Sequence, residues 1–183
     1  MNDDPLEALG SDPELARLSQ RMRDELRSEA EEYEALAAKD LARGRHLSDA
    51  VLLHCHRGDV VEVTTSSATF VGRIAYCAGD LACLLTETAE VDVCISVVLS
   101  LRVLERAHRG GWGPSAGPAS FKARLFEHEA GGGSVTIGTR LLDGEIEGRI
   151  AAVAVDHLVV EVGGPESRYL ALTGVEYLRR PRS

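Results

Sequence analysis

The sequence predicts a mainly β protein with helices, in which a long N-terminal α-helix precedes two small antiparallel β-barrels. Three observations carry this expectation. Apolar residues recur every three or four positions as far as Leu41 and every second position from Val60 onward, the periods of helix and strand. Beyond Val60 the apolar runs are short and separated by brief turns, the spacing of a strongly bent sheet or barrel. Finally, Gly72-Arg73-Ile74-Ala75, two residues, Ala78, one residue, Asp80 recurs without a gap as Gly148-Arg149-Ile150-Ala151, two residues, Ala154, one residue, Asp156.

The elements follow in order. Ser11-Asp12-Pro13-Glu14 supplies a capping oxygen, a proline whose missing N–H costs nothing, and an acid facing the helix dipole. From there Leu15, Leu18, Met22, Leu26, Ala30, Tyr33, Ala37 and Leu41 trace one apolar stripe, with Arg23, Arg27, Glu31, Glu32 and Lys39 opposite. Gly44 is expected to break this helix. Leu47 to Cys55 reads as a shorter amphipathic helix capped by Ser48 or Asp49, and Arg57-Gly58-Asp59 turns the chain into strands. A linker rich in glycine and proline, from Gly110 to Pro118, contains Trp112. Ser120 to Glu129 can form another helix, ended by Gly131-Gly132-Gly133, and strands resume at Ser134. The expected organisation is an acidic tail and long helix over 1–46, a first barrel over 47–107, the linker over 108–118, a second barrel over 119–180 and a basic tail over 181–183.

Composition narrows the function. The chain has 183 residues and 44% hydrophobic content, enough for a folded core. Its 29 acidic and 20 basic side chains, a formal charge of -9, disfavour general coating of nucleic acid or anionic lipid. Met1-Asn2-Asp3-Asp4 is acidic where a signal peptide is basic, and no apolar run has bilayer length, so the expectation is a soluble cytoplasmic protein without membrane contact. Cys55, Cys77, Cys83 and Cys94 form no C-x-x-C pair and read as buried reduced thiols. His54-Cys55-His56 lacks a second ligand pair at metal-site spacing; it reads as a packed cysteine between two solvated histidines. No set of nucleophile, base and orienting group stands out. Neither catalysis, a metal nor a cofactor is expected.

Each copy of the repeat consists of a short helix and then strands in which hydrophobic-x-Gly-x-hydrophobic leads to an Asp-headed turn and an apolar strand. This pattern resembles the Sm-like barrel, over about Leu47 to Arg106 and Ser120 to Arg180. The resemblance gives Gly72 and Gly148 the role of permitting a sharp strand bend, because only a residue lacking Cβ fits there. Val103-Leu104-Glu105-Arg106 answers Tyr177-Leu178-Arg179-Arg180 at the close of each copy. Leu172-Thr173-Gly174-Val175 is similar to a degraded second Sm signature, with Ser100-Leu101 at the corresponding place in the first copy. The strands after Asp80 and Asp156, Leu81-Ala82-Cys83-Leu84 and His157-Leu158-Val159-Val160, lack the asparagine of the family's RNA site, so the resemblance implies the fold without the uridine pocket. The layout also resembles that of actinobacterial proteins labelled Fis-family transcriptional regulators, although nothing here reads as the helix-turn-helix which that label implies.

Two functional readings result. The first is a non-enzymatic cytoplasmic adaptor, self-associating or binding a protein partner through sheet edges and through Leu15, Leu18, Met22, Leu26, Tyr33 and the linker's Trp112. The alternative is a nucleic-acid-binding regulator using Arg73, Arg149, Arg179, Arg180 and Arg182, which predicts salt-dependent binding to short RNA or DNA. Against the alternative, Arg73 and Arg149 are better explained as solvent-facing residues bridging to Glu62 or Glu147. Asp80 and Asp156 are expected to serve their turns structurally.

Overall fold

The structure, a computed structural model, describes residues 13–107, 117–140, 142, 144–164 and 166–182. Of the sequence features above, Met1 to Asp12, including Ser11 and Asp12, and residues 108–116 of the expected linker, including Trp112, lie outside the described residues. The chain divides into two units, residues 1–45 and 46–183.

The first unit carries α1 (Pro13–Arg43), a helix of 31 residues that stops one residue before Gly44, as the sequence predicts. Leu15 lies in its first turn. Leu18, Met22, Leu26 and Tyr33 follow at steps of four, four and seven, which places them on one side of the helix.

The second unit begins with α2 (Leu47–Arg57) and the strands β1 (Val60–Thr64), β2 (Thr69–Ala78), β3 (Leu81–Leu85), β4 (Ala89–Cys94) and β5 (Ser100–Glu105). It continues with α3 (Phe121–Gly131), β6 (Ser134–Thr139), β7 (Ile146–Val153), β8 (His157–Glu161), β9 (Ser167–Ala171) and β10 (Val175–Pro181). Short 3-10 turns, Ile95–Val97 and Leu172–Gly174, precede β5 and β10. His46, rather than Ser48 or Asp49, is the residue that caps α2, and the Asp49 carboxylate reaches back to accept its N–H at 2.8 Å. Ser120 caps α3 by accepting from the Ala123 N–H. Both helices end on glycines in the left-handed region, Gly58 (φ 73°) and Gly132 (φ 64°).

All ten strands join in one antiparallel sheet, in the order β5-β1-β2-β3-β4-β10-β6-β7-β8-β9. The sheet is not closed into barrels: β4 pairs with β10, and the strands run continuously through both halves. The repeat is nevertheless physical. Each half has its strands in the same order, fifth-first-second-third-fourth. Val61 faces Gly72 as Val135 faces Gly148, and an extra residue interrupts β2 after Ile74 as it interrupts β7 after Ile150. A Cβ at Gly72 would lie 2.3 Å from the Leu85 carbonyl oxygen, and one at Gly148 2.4 Å from that of Glu161. Both glycines therefore admit the same close backbone approach.

The register also corrects two alignments. Leu101 faces Val63 and Leu178 faces Ile137, so Leu101 answers Leu178; the final strands match a few residues away from the pairing that the sequence suggests. Ile95 and Leu172 donate equivalent N–H bonds to the Asp80 and Asp156 carbonyls, so Thr173-Gly174 answers Ser96-Val97 rather than Ser100-Leu101. The expected tail starts inside β10: Pro181 pairs with Ala89, and Arg182, just beyond the strand, donates its N–H to the Thr88 carbonyl.

Two apolar clusters fill the unit, and each crosses the midline. Leu81, Cys83 and Cys94 of the first half join Leu125, Ile137, Ile150 and Leu178, while Tyr177 of the second half packs with Val61, Ile74, Leu84 and Val91. All four cysteines are free; Cys55, Cys83 and Cys94 are buried, but Cys77 is only half-buried. Among the described residues no helix is long and apolar enough to cross a membrane.

Candidate functional site

At the junction between the halves three polar groups, Asp92, His128 and Glu176, are almost fully buried. β10 lies against β4 with Tyr177 opposite Val93, Leu178 opposite Asp92 and Arg180 opposite Glu90. The Tyr177 ring meets Phe70 edge-on with centroids 4.7 Å apart. Asp92, 1% exposed, has His128 Nε2 at 3.0 Å from one oxygen, and the other accepts from the Cys83 thiol at 2.6 Å with Arg124 Nε 3.3 Å away. His128 and Arg124 stand on α3 of the second half. Burial alone would raise the Asp92 carboxyl, but hydrogen bonds from His128 and Cys83, with the Arg124 charge, hold it below the ordinary aspartate value. Burial and neighbouring Asp92 push the Cys83 thiol far upward, so it serves as a neutral donor and not as a thiolate nucleophile.

A second latch runs the other way. Val175 pairs with Thr139 and Tyr177 with Gly138, which leaves Glu176 as a bulged residue. Its buried carboxylate accepts from the Ser66 hydroxyl at 2.6 Å, the Ser67 hydroxyl at 2.5 Å and the Ser67 N–H at 3.0 Å, all in the β1–β2 turn of the first half. Burial opposes the charge, yet these donors keep Glu176 ionised below the usual glutamate value. A third contact comes from Asp80, whose carboxylate accepts the Phe121 N–H at 2.7 Å and so caps α3 from across the midline.

The repeat locates the counterparts of these groups at the outer edges. Cys83 faces Asp92 and Val159 faces Tyr169, so Tyr169 on β9 stands where Asp92 stands on β4. Val98 and Val175 end the two 3-10 turns, so the next residue, Leu99, stands in the place of Glu176. The β6–β7 loop, two residues longer than the Ser66-Ser67 turn, carries Leu142. Asp92 and Glu176 are thus replaced by an aromatic and an apolar residue, Tyr169 and Leu99, whereas Asp80 is answered by another acid, Asp156. Tyr169 is 71%, Leu99 69% and Leu142 46% exposed. Thr139, Leu142, Tyr169, Leu170 and Gly174 surround a cavity of about 160 Å³ beside β9, where the first half receives β10. Asp156, the counterpart of Asp80, has its side chain 86% exposed.

The arginines singled out from sequence are not gathered in one place. Arg149 pairs with Glu161 at 2.6 Å, across the strands, rather than with Glu147, and it is Arg102 that pairs with Glu62, at 3.0 Å. Arg179 pairs with Glu145, and Arg180 with Glu90 at 2.9 Å. Arg73 donates to the Gly58 carbonyl at 3.0 Å, and only Arg73 and Arg182 line a common groove. His54 is not solvated as expected: its Nδ1 lies 2.8 Å from buried Asp59, whose other oxygen accepts the Ala107 N–H. Among the described residues no group of three or more histidine, cysteine, aspartate or glutamate side chains is placed to hold a metal. Sequence reading missed Asp92 and Glu176, although each is an acid flanked on both sides by apolar or aromatic residues, Val91-Asp92-Val93 and Val175-Glu176-Tyr177. Comparison with known proteins adds nothing to these contacts, since no family model and no curated protein matches the chain.

Proposed function

We propose that the protein is a non-enzymatic, cytoplasmic, self-associating adaptor built from two Sm-like units, in which β9 of one chain receives β5 of another. The observation that carries this reading is the pairing of open β9 and β5 edges with matched apolar replacements. Where Glu176 meets Ser66 and Ser67 inside the chain, Leu99 of one copy would meet the β6–β7 loop of the next, which carries Leu142, and Leu101 would lie opposite Tyr169 as Leu178 lies opposite Asp92. Apolar against apolar at such a site favours association through burial, and pairing of the strands satisfies their edge backbone groups. Four free thiols fit a reducing compartment. The raised thiol of enclosed Cys83 supports a structural use of the one Cys-Asp-His cluster at the junction. A nucleic-acid role has less support, because Arg149, Arg179 and Arg180 are held in ion pairs.

Sedimentation or light scattering at micromolar concentration tests the reading. The native chain is expected to form a dimer or larger closed assembly, and Leu99→Asp or Tyr169→Asp to reduce it to monomer without lowering the unfolding midpoint. Loss of assembly only in Leu18→Asp or Leu26→Asp would transfer the contact to the α1 stripe. A strictly monomeric native chain would remove the reading altogether.

A further inference from the structure

One groove on the outer face of the sheet stands apart from the self-association edges. It has a volume of about 390 Å³ and lies between β2, the β3–β4 turn and the end of β10. Val71 and Leu85 give it an apolar wall, Arg73 and Arg182 give it two guanidinium groups, and Glu87 adds one carboxylate. The volume is within the range of small-ligand sites.

Comparison of the two copies explains why these cations are available. Arg73 and Arg149 occupy the same step after the bending glycine. Opposite Arg149 stands Glu161, which pairs with it at 2.6 Å; opposite Arg73 stands Leu85, which cannot. Among the described residues, neither Arg73 nor Arg182 has a carboxylate within ion-pair distance. Each is tethered through one nitrogen to a backbone carbonyl, Arg73 to Gly58 at 3.0 Å and Arg182 to Thr86 at 3.5 Å. Most of their N–H donors are left for a third party, and the tethers limit the rotamer freedom that binding would otherwise remove.

We infer that this groove binds a small organic phosphate of nucleotide size, its phosphate between Arg73 and Arg182 and its less polar body on Val71 and Leu85. A phosphate monoester carries close to two negative charges and several acceptor oxygens, which matches two planar cationic donors better than a single carboxylate does. Glu87 opposes the anion and restrains its affinity.

Isothermal titration at low salt tests this, with inorganic phosphate and a nucleoside 5′-monophosphate as separate probes. Saturable binding of both is expected, tighter for the nucleotide, whose body gains the apolar wall. Arg73→Ala and Arg182→Ala are each expected to weaken it about tenfold, and Glu87→Gln to strengthen it. Arg149→Ala, at the equivalent position of the other copy, is expected to leave it unchanged. Absence of saturable binding by either probe would overturn the inference, as would equal weakening by Arg149→Ala and Arg73→Ala. So would binding of a polynucleotide without any response to the mononucleotide.

Discussion

Asp92 and Tyr169 occupy the same step of the same strand in two copies of one unit, and their surroundings are opposite. Asp92 is 1% exposed and held by donors from the other half; Tyr169 is 71% exposed at the sheet's outer edge. Gly72 and Gly148 show the reverse behaviour, because both press against a backbone carbonyl at nearly the same distance. The copies have therefore kept the glycines that admit a close backbone approach and differ at the residues of the β4 and β9 edges.

The severest challenge to that equivalence is at the glycines. Gly72→Ala and Gly148→Ala each place a Cβ against an immovable carbonyl, and both are expected to cost about 3 kcal/mol or more in denaturant unfolding. A harmless alanine at one position and a ruinous one at the other would separate the copies. Next comes Asp92→Ala, which leaves buried His128 and charged Arg124 without their carboxylate and is expected to cost about 3 kcal/mol. Tyr169→Ala, its counterpart, is expected to change stability by less than about 0.5 kcal/mol while weakening self-association. An equal loss of stability at both sites would contradict the contrast.

Acid sharpens the same comparison. Asp92 and Glu176 titrate below their ordinary values in the folded chain, so the unfolded chain takes up protons first as pH falls. Their stabilising contribution is complete above the unfolded values, about 3.9 for aspartate and about 4.3 for glutamate, and is lost as pH falls through the depressed folded ones. Asp92→Asn is expected to flatten the acid limb of the stability curve, measured by urea unfolding at successive pH values. An unchanged acid limb would show that Asp92 does not carry the junction. The smallest effect is assigned to Arg149→Ala: the Arg149–Glu161 pair is about half-exposed, and its loss is expected to cost less than about 1 kcal/mol in the same assay.

The helices, the tight glycine positions and the duplication were legible in the sequence because each depends on local chemistry. Gly44 stops α1, Ser120 caps α3, and the Gly72 and Gly148 motifs align without a gap. Pairing between distant strands was not legible, since nothing near Ala89 says that Pro181 will lie opposite it. The register of β5 and β10 was misjudged for a related reason: bulged Glu176 shifts the side-chain alternation by one residue, and apolar residues on either side match equally well. His54 was read as solvated because Asp59 follows the glycine cap, and only the αL turn at Gly58 brings the two together. The proposed outer contact surface was hidden for a deeper reason. Leu99, Leu142 and Tyr169 look like unremarkable surface residues until their counterparts are known.

Tyr177 seals the first repeat's core from the last strand of the sheet. A ribosome making this chain releases Val61, Ile74 and Val91 long before the ring that covers them, and the β4 edge waits unpaired throughout. Completion of the first half is thus deferred until synthesis has passed the second. Any mutation or stop codon that deletes β10 would injure the distant half as severely as its own.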